Sequence, residues 1–153
     1  MVSRRRGRGF TLIELLTVVA ITAILAATAA PAFKSMVAGQ RARVTGTELY
    51  AALVLARSEA IKRDTQVTLQ PATGGWQAGW SIPNPSDTGH PVANHGPVTD
   101  ATITGPDSVV YLPNGRVASD TAPSFDIAVD GASSHRCLQV DLSGRPRMPA
   151  AGC

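Results

Sequence analysis

A run of 21 apolar residues near the N-terminus constrains the fold of this chain more than any other feature. It extends from Phe10 to Ala30, and Glu14 is its only charged residue. As a helix, the run is about 30 Å long, which matches the hydrocarbon thickness of a bilayer. It is also longer than the apolar part of an ordinary cleavable secretory signal. We therefore expect residues 10–31 to form a transmembrane helix that remains in the protein.

The positive charge of the chain is not spread over one surface. The formal net charge is +3 over 153 residues. Four arginines precede the apolar run, whereas residues 64–153 hold four arginines and eight aspartates. This distribution disfavours a globally basic nucleic-acid-binding protein. By the positive-inside rule, the N-terminal arginines stay in the cytoplasm and the residues after Pro31 lie on the far side of the inner membrane, in the periplasm.

The residues around the start of the apolar run form a specific motif. Gly9 is followed by Phe-Thr-Leu-Ile-Glu and then by the long apolar stretch. This pattern resembles the type III signal of type IV pilins and type II secretion pseudopilins. The resemblance implies that a prepilin peptidase removes residues 1–9 as a leader, cutting between Gly9 and Phe10, and that Phe10 becomes N-methylated.

Glu14 is the one acid in the apolar run. A carboxylate inside a membrane costs at least a few kcal/mol, so it usually has a partner. The resemblance implies that Glu14 serves filament assembly, where the N-terminal amine of a neighbouring subunit neutralises its charge. The alternative is that Glu14 lies near the lipid headgroups and tolerates its position.

Residues 32–63 continue with helical periodicity. Apolar residues recur at spacings of three and four, and charged residues fall elsewhere around the helix, which predicts an amphipathic half that packs on a sheet. We expect Pro31 to end or kink the membrane helix, and Gly39 and Gly46 allow a local break. The expected stripe consists of Leu49, Ala52, Leu53, Ala56 and Ala60.

Residues 64–153 have the sequence pattern of a β domain. Short alternating runs are separated by turn sequences such as Asp-Gly at 130–131, and residues 83–97, with four prolines, are expected to form a long loop. In the second run, Trp76 and Trp80 share one face. The predicted strands are 65–70, 76–82, 99–104, 108–112, 124–129 and 136–142.

A helix followed by a run of strands indicates an α+β fold. The Gly-Trp pair at 79–80, the phrase VVYLPNGRV at 109–117 and a late strand with Cys137 before Ser-Gly-Arg resemble the FimT/GspH branch of minor pilins and pseudopilins. This resemblance implies a pilin fold, with a long N-terminal helix packed on a small antiparallel β-sheet domain, and partners that are other pilins or pseudopilins.

Enzymatic and metal-binding functions are disfavoured. Two of the three histidines, His90 and His95, lie in the proline-rich stretch, and the cysteines and histidines do not stand at ligand spacing. The sequence also lacks a nucleophile elbow and a phosphate-binding glycine loop. We therefore expect no enzyme, no catalytic residue, no cofactor and no metal site.

The two cysteines, Cys137 and Cys153, fit an oxidising compartment. Joined, they close a loop worth about 3 kcal/mol, although two free thiols remain the alternative. The loop contains Arg145 and Arg147 on either side of a proline, and Arg136 lies just outside it. Arginine suits phosphate oxygens, and a restrained loop loses less entropy on binding.

The Gly-Arg-x-Arg pattern resembles the DNA-binding element of FimT-type minor pilins, which support natural transformation. The resemblance implies that Gly144 shapes the turn, that Arg145 and Arg147 contact the phosphates of double-stranded DNA, and that Arg136 assists. Three other interpretations remain open. The arginines are solvated or paired with Asp141; the protein only primes or caps a pilus or a type II secretion pseudopilus; or exposed tryptophans bind a sugar.

Overall fold

The structure is a computed structural model, and it describes residues 10–149 and Cys153. The expected leader, residues 1–9 with Gly9, lies outside the described residues. The chain divides into two compact units, Met1–Lys34 and Ser35–Cys153. Within the described residues, one long helix is followed by eight short strands.

Helix α1, Leu12–Arg63, is continuous over 52 residues. Pro31 lies inside it, so the helix does not end at this proline. The helix also continues through Gly39 and Gly46. Proline removes one backbone hydrogen bond, but the alanines on both sides of Pro31 favour helix strongly enough to continue it.

In the first unit, the described residues are exposed and mostly apolar. An 18-residue window there has a mean hydropathy of 2.2 with none of its residues buried, so the helix is long and apolar enough to cross a membrane. Phe10 is 87% exposed and Ile24 65% exposed. A continuous apolar surface of this size requires lipid or other apolar helices to cover it.

In the second unit, α1 buries one stripe of small and apolar side chains. The stripe begins at Ala38 and Ala42 and includes every residue that the periodicity predicts. Those five residues are Leu49, Ala52, Leu53, Ala56 and Ala60. All the buried positions within the described residues lie in Ser35–Cys153, so this unit contains its own core and is expected to fold without the apolar half of α1.

Glu59 was expected on the polar side of the helix, but it is buried. Arg63 Nε donates to its Oε2 at 2.6 Å, and Lys62 Nζ lies 3.4 Å from its Oε1. The Arg63 hydrogen bond is the main reason that the pKa of Glu59 lies below its usual value, against the opposing effect of desolvation. Glu59 is therefore ionised at neutral pH.

The strands form two antiparallel sheets of four, which confirms the small antiparallel β domain that was expected. The strands are β1 Val67–Ala72, β2 Gly75–Ile82, β3 Ala93–His95, β4 Ala101–Thr104, β5 Val109–Tyr111, β6 Ser124–Val129, β7 Arg136–Val140 and β8 Pro146–Arg147. The first sheet has the order β3-β2-β1-β5 and the second β4-β6-β7-β8.

Each of the six predicted strands overlaps an observed one, and two short strands were missed. Strand β3 lies inside the stretch expected to be a long loop, where it pairs with the end of β2. Strand β8 lies inside residues 137–153, the segment between the two cysteines that we call the arginine loop, and pairs with β7. Proline donates no ladder hydrogen bond, and Pro146 accordingly lies in the edge strand of its sheet.

One hydrophobic cluster joins α1 to both sheets. Trp76 is 3% exposed, packs edge-to-face on Phe125 with ring centroids 4.9 Å apart, and donates from Nε1 to Pro106 O at 2.7 Å. Trp80 is also 3% exposed and stacks on His95. Because both rings are core residues, a sugar-binding surface built on exposed tryptophans has no basis here.

Candidate functional site

Residues 141–145 form a tight turn that connects β7 to β8. Gly144 N donates to Asp141 O at 2.8 Å, and Asp141 N donates to Arg145 O at 3.1 Å. Gly144 has φ +82°, a left-handed conformation that glycine adopts without a steric penalty. The expectation that Gly144 shapes the turn therefore has a backbone basis.

Asp141 holds this turn from inside. Its Oδ1 accepts from Ser143 Oγ at 2.5 Å and from the backbone N of Arg145 at 3.0 Å. The pKa of Asp141 lies below its usual value, mainly because of the Ser143 hydroxyl and then because of the Arg145 amide. The carboxylate thus caps the turn, and none of the ion pairs among the described residues joins it to the Arg145 guanidinium.

A second turn, residues 112–116, repeats this geometry after β5. Gly115 N donates to Leu112 O at 2.8 Å, and Leu112 N donates to Arg116 O at 2.8 Å. Gly115 has φ +76°, and the side chain of Asn114 accepts from Arg116 N at 3.0 Å, as Asp141 does for Arg145. We call the segments 112–116 and 141–145 the two Gly-Arg turns.

The two Gly-Arg turns touch at their glycines. A Cβ on Gly144 would overlap the carbonyl oxygen of Gly115 and would lie 3.2 Å from Tyr111 Cε1. Arg57 of α1 donates from Nε to Gly115 O at 2.9 Å and from Nη2 to Ser143 O at 3.2 Å. One guanidinium therefore binds both turns to the helix, which is a use of its planar fork that lysine does not reproduce.

Tyr111, the last residue of β5, lies beneath these turns. Its side chain is fully buried, and its hydroxyl has no hydrogen-bond partner among the described residues. Burial raises the pKa of Tyr111 well above its ordinary value, although the nearby charge of Arg57 opposes this shift. The phenol therefore stays neutral and supports the turns as a packed ring.

The arginines expected to bind DNA divide into two groups. Arg145 and Arg147 are both exposed and lie at the same end of the second sheet. Arg147 Nη2 donates to Gln139 Oε1 at 3.1 Å, a neutral partner that leaves its charge uncompensated. Arg136, by contrast, begins β7 at the end remote from the turn and is half-buried, with Nε lacking a hydrogen-bond partner among the described residues.

The expected disulfide is present. Cys137 and Cys153 are joined, with Cα atoms 5.0 Å apart. Cys137 lies in β7 opposite Asp126 of β6, so the bond ties the C-terminal residue to the middle of the second sheet. The disulfide consequently closes the arginine loop covalently.

In the first unit, Glu14 caps the start of α1. Its Oε2 accepts from Thr11 N and Thr11 Oγ1, both at 2.8 Å, while Thr11 Oγ1 accepts from Glu14 N at 3.3 Å. This is a capping box, in which two side chains satisfy backbone groups of the first turn reciprocally. Sequence reasoning missed this arrangement, although the Thr-x-x-Glu spacing encodes it.

The three histidines lie against three different carboxylates. His90 contacts Asp87 at 2.7 Å, His95 contacts Glu48 at 3.2 Å and His135 contacts Asp126 at 2.8 Å. In the described part of the chain, no three metal-ligating side chains converge. These pairs connect loops and strands to their neighbours.

Arg57 and Arg116 are the site residues that sequence reasoning overlooked. Sequence reasoning placed Arg57 on the solvated face of α1. Its hydrogen-bond partners lie 58 and 86 residues away in the chain, so no local pattern indicates them. Arg116 had a local signal. The Gly-Arg pair at 115–116 repeats that at 144–145, and each follows a polar residue that favours turns.

Comparison with known proteins places this geometry in context. Residues 45–144 match the family model described as type II transport protein GspH, and residues 4–30 match that of the prokaryotic N-terminal methylation motif. No curated protein sequence matches the chain significantly.

Solved minor pilins and pseudopilins share the fold. The type IV minor pilin FimU of Pseudomonas aeruginosa is 22% identical, with a TM-score of 0.64, over 72% of this chain and 91% of FimU. A second crystal form of FimU gives 23% identity and a TM-score of 0.63, over 72% of this chain and 96% of FimU. The minor pseudopilin EpsH from the type 2 secretion system of Vibrio cholerae is 14% identical, with a TM-score of 0.56, over 72% of this chain and 97% of EpsH.

Proposed function

Because this chain belongs to the GspH family and is a minor pilin or pseudopilin, we propose that it assembles into a type IV pilus and binds double-stranded DNA through the 141–147 loop. Arg145 and Arg147 contact the phosphate backbone without reading sequence, and Gly144 shapes the turn that presents them. This binding supports DNA uptake in natural transformation.

The observation that carries the proposal is the free charge of the arginine pair. Arg145 and Arg147 are exposed, and neither forms an ion pair within the described residues. The nearest acid in sequence, Asp141, accepts hydrogen bonds from Ser143 and from a backbone amide, and it interacts with the Arg145 charge without forming an ion pair. Two exposed cations at one end of a sheet, neither in an ion pair with a described residue, favour a polyanion, whose condensed counterions are released on binding.

The stiffness of the loop supports the same proposal. The loop is tied by the disulfide, by the pairing of β8 with β7 and by the hydrogen bond from Arg57 to Ser143 O. A side chain presented by an ordered backbone loses less conformational freedom on binding than one on a mobile loop. The arginines therefore start close to the geometry in which they meet phosphate.

The experiment measures binding of a fluorescent DNA duplex to Ser35–Cys153 over a series of salt concentrations. Single variants Arg145→Gln and Arg147→Gln are each expected to lower the log–log salt slope by about one unit, and the double variant by about two. The control is Arg41→Gln, which removes an exposed arginine that forms an ion pair with Asp100, in the same unit and about 24 Å along α1 from Arg57.

The outcomes separate the alternatives. A slope that falls for both loop variants and not for Arg41→Gln supports the proposal. Equal slopes for the loop variants and the control would refute it, because the arginines then contribute only general charge. An Arg136→Gln variant tests the assisting role of Arg136, which requires a loss of slope beyond that of the control.

We also propose the assembly route that the N-terminal motif implies. A prepilin peptidase cuts after Gly9 and methylates Phe10, and the apolar half of α1 holds the protein in the inner membrane with Ser35–Cys153 in the periplasm. In the filament, the Glu14 carboxylate pairs with the N-terminal amine of a neighbouring subunit. The capping box leaves Glu14 at the first turn, beside its own N-terminus.

A Glu14→Gln variant tests the charge of Glu14 separately from its capping role. Glutamine also serves in a capping box, so the helix start is retained while the charge is lost. We expect the variant to reach the membrane but to be missing from sheared filaments. Its appearance in filaments at the level of the unmodified chain would contradict the assembly proposal.

The second candidate is a structural role in a type II secretion pseudopilus, which primes or caps the filament without binding DNA. The family description as a type II transport protein favours it. Its test is deletion of the chain followed by complementation with the Arg145→Gln, Arg147→Gln double variant. Loss of secretion on deletion, with full rescue by the double variant, would favour this candidate over DNA binding.

A further inference from the structure

The backbone of Arg116 is held by hydrogen bonds, whereas its side chain has no partner among the described residues. Its N donates to Asn114 Oδ1 at 3.0 Å and its O accepts from Leu112 N at 2.8 Å, so the main chain is held on both sides. Its guanidinium is exposed and makes no hydrogen bond or ion pair with the described residues. The fold therefore accounts for the position of Arg116 but not for its charge.

Arg116 occupies the same place in its turn as Arg145 does in the other. Each follows a left-handed glycine, and each has its amide held by a side-chain oxygen two or four residues earlier. Because Gly115 and Gly144 are in contact, the two arginines leave the backbone from adjoining points. The positions of the two charges are thus coupled by packing, although 29 residues separate them in the chain.

The two Gly-Arg turns carry more positive than negative charge. Arg57, Arg116 and Arg145 all lie on or between the two Gly-Arg turns, and Asp141 is the one acid that belongs to either turn. Like charges closer than the Debye length of about 10 Å repel one another with little screening. An anion that contacts more than one arginine removes this repulsion.

We propose that Arg116 is a second phosphate-binding residue and that the two Gly-Arg turns together form one site for neighbouring phosphates of a DNA duplex. Arg57 is the positioning residue, because its guanidinium binds a carbonyl of each turn and keeps the arginines together. The phosphates of one DNA strand follow one another every about 3.4 Å along the helix axis, so adjoining arginines meet successive phosphates. This inference rests on the proposed DNA binding and extends it from one loop to two.

We expect a site of this kind to distinguish a DNA duplex, which offers several phosphates, from a single phosphate ion. A single phosphate ion satisfies one arginine at a time, whereas a duplex engages both turns in one binding event, which raises the effective concentration for the second contact. Inorganic phosphate is therefore expected to weaken DNA binding no more than another salt of equal ionic strength. A phosphate-specific inhibition beyond that of chloride would contradict a site built for a polymer.

The test uses Ser35–Cys153 and a fluorescent duplex, with Arg116→Gln, Arg116→Lys and the control Arg41→Gln. Arg116→Gln is expected to lower the salt slope by about one unit and the affinity at low salt by about tenfold. Arg116→Lys keeps the charge and is expected to retain the slope. Since the Arg116 guanidinium makes no protein contact within the described residues, the thermal midpoint of each Arg116 variant should match that of the parent.

Failure of this inference is distinct from failure of the proposed function. If Arg145→Gln lowers the slope while Arg116→Gln behaves like Arg41→Gln, the second turn takes no part and the inference is wrong. If the parent unit shows no salt-dependent DNA binding, the proposed function fails and this inference falls with it. A loss of slope in both Arg116→Gln and Arg145→Gln, additive in the double variant, supports a joint site.

Discussion

The substitution Gly144→Ala probes the contact between the two Gly-Arg turns. The added methyl would overlap Gly115 O and would lie 3.1 Å from the Gly115 carbonyl carbon and 3.2 Å from Tyr111 Cε1. All three contacts are closer than an ordinary van der Waals approach, and two of them are with the Gly115 backbone. Because neither Gly115 nor the buried ring of Tyr111 has room to withdraw, we expect the 141–145 turn to move away.

The expected loss of stability in Gly144→Ala has two contributions, one from the backbone conformation and one from weakened hydrogen bonds. A non-glycine residue at φ +82° costs about 1–2 kcal/mol. Moving the turn also breaks or weakens the Arg57 hydrogen bonds to Gly115 O and Ser143 O, at about 1 kcal/mol each. The free energy of unfolding should therefore fall by about 3–4 kcal/mol, and the thermal midpoint by about 12 °C.

Urea unfolding of oxidised Ser35–Cys153 measures this change. Gly39→Ala is the matched control, since a Cβ there meets nothing within 4 Å inside a helix. That variant should gain about 0.5–1 kcal/mol. DNA binding by Gly144→Ala should fall further than in Arg145→Gln, because both arginines are displaced. A loss of stability below about 1 kcal/mol in Gly144→Ala would refute the packing argument.

Three further predictions concern the groups that support the site. Arg57→Gln should destabilise Ser35–Cys153 by about 2 kcal/mol in urea unfolding and should also lower the affinity for DNA. Arg57→Lys should recover less than half of either loss. Full recovery by lysine would exclude a role for the guanidinium fork. Replacing Cys137 and Cys153 together by serine should cost about 3 kcal/mol in the same assay, and an unchanged midpoint would show that the bond is not structural. The pKa of Glu59 is lower in the folded state than its ordinary 4.5, so the stabilisation that the ionised carboxylate gives the fold is present above that pH and is lost as the pH falls through the folded pKa. Glu59→Gln should therefore flatten this part of the acid unfolding curve. An identical curve for parent and variant would contradict this prediction.

The local patterns of the sequence predict the main elements of this fold. The spacing of Leu49, Ala52, Leu53, Ala56 and Ala60 predicts the buried face of α1, because helical periodicity is encoded within one element. The alternating runs predict six of the eight strands. Strands β3 and β8 have three and two residues, too few for a period, and they exist because β2 and β7 offer an edge for pairing.

The departures from the sequence-based expectations have both local and distant causes. Pro31 is a local signal for a helix end, but the flanking helix formers outweigh it. Glu59 looks like a solvated acid, yet Arg63 and Lys62 neutralise it in a buried position. The division of the strands into two sheets was not predicted, because the order of strands depends on pairings across the whole domain.

The candidate site shows the same division. Gly144, Arg145, Arg147 and the disulfide follow from a short motif and from the cysteine pair. The contact with the 112–116 turn and the binding of both turns by Arg57 are tertiary relations, and a single sequence carries little trace of them. The repeated Gly-Arg pair is the one local feature that points to this relation.

The most direct test of DNA binding by the Gly-Arg turns is an NMR titration of isotopically labelled Ser35–Cys153 with a short DNA duplex. The two turns and β8 are expected to respond together, so the amide signals of residues 112–116 and 141–147 should shift in fast exchange and return when salt is added. The signals around Arg41 and Asp100, which form an ion pair remote from the turns, should stay in place. Shifts that spare both turns, or that appear around Arg41 with equal size, would contradict the account.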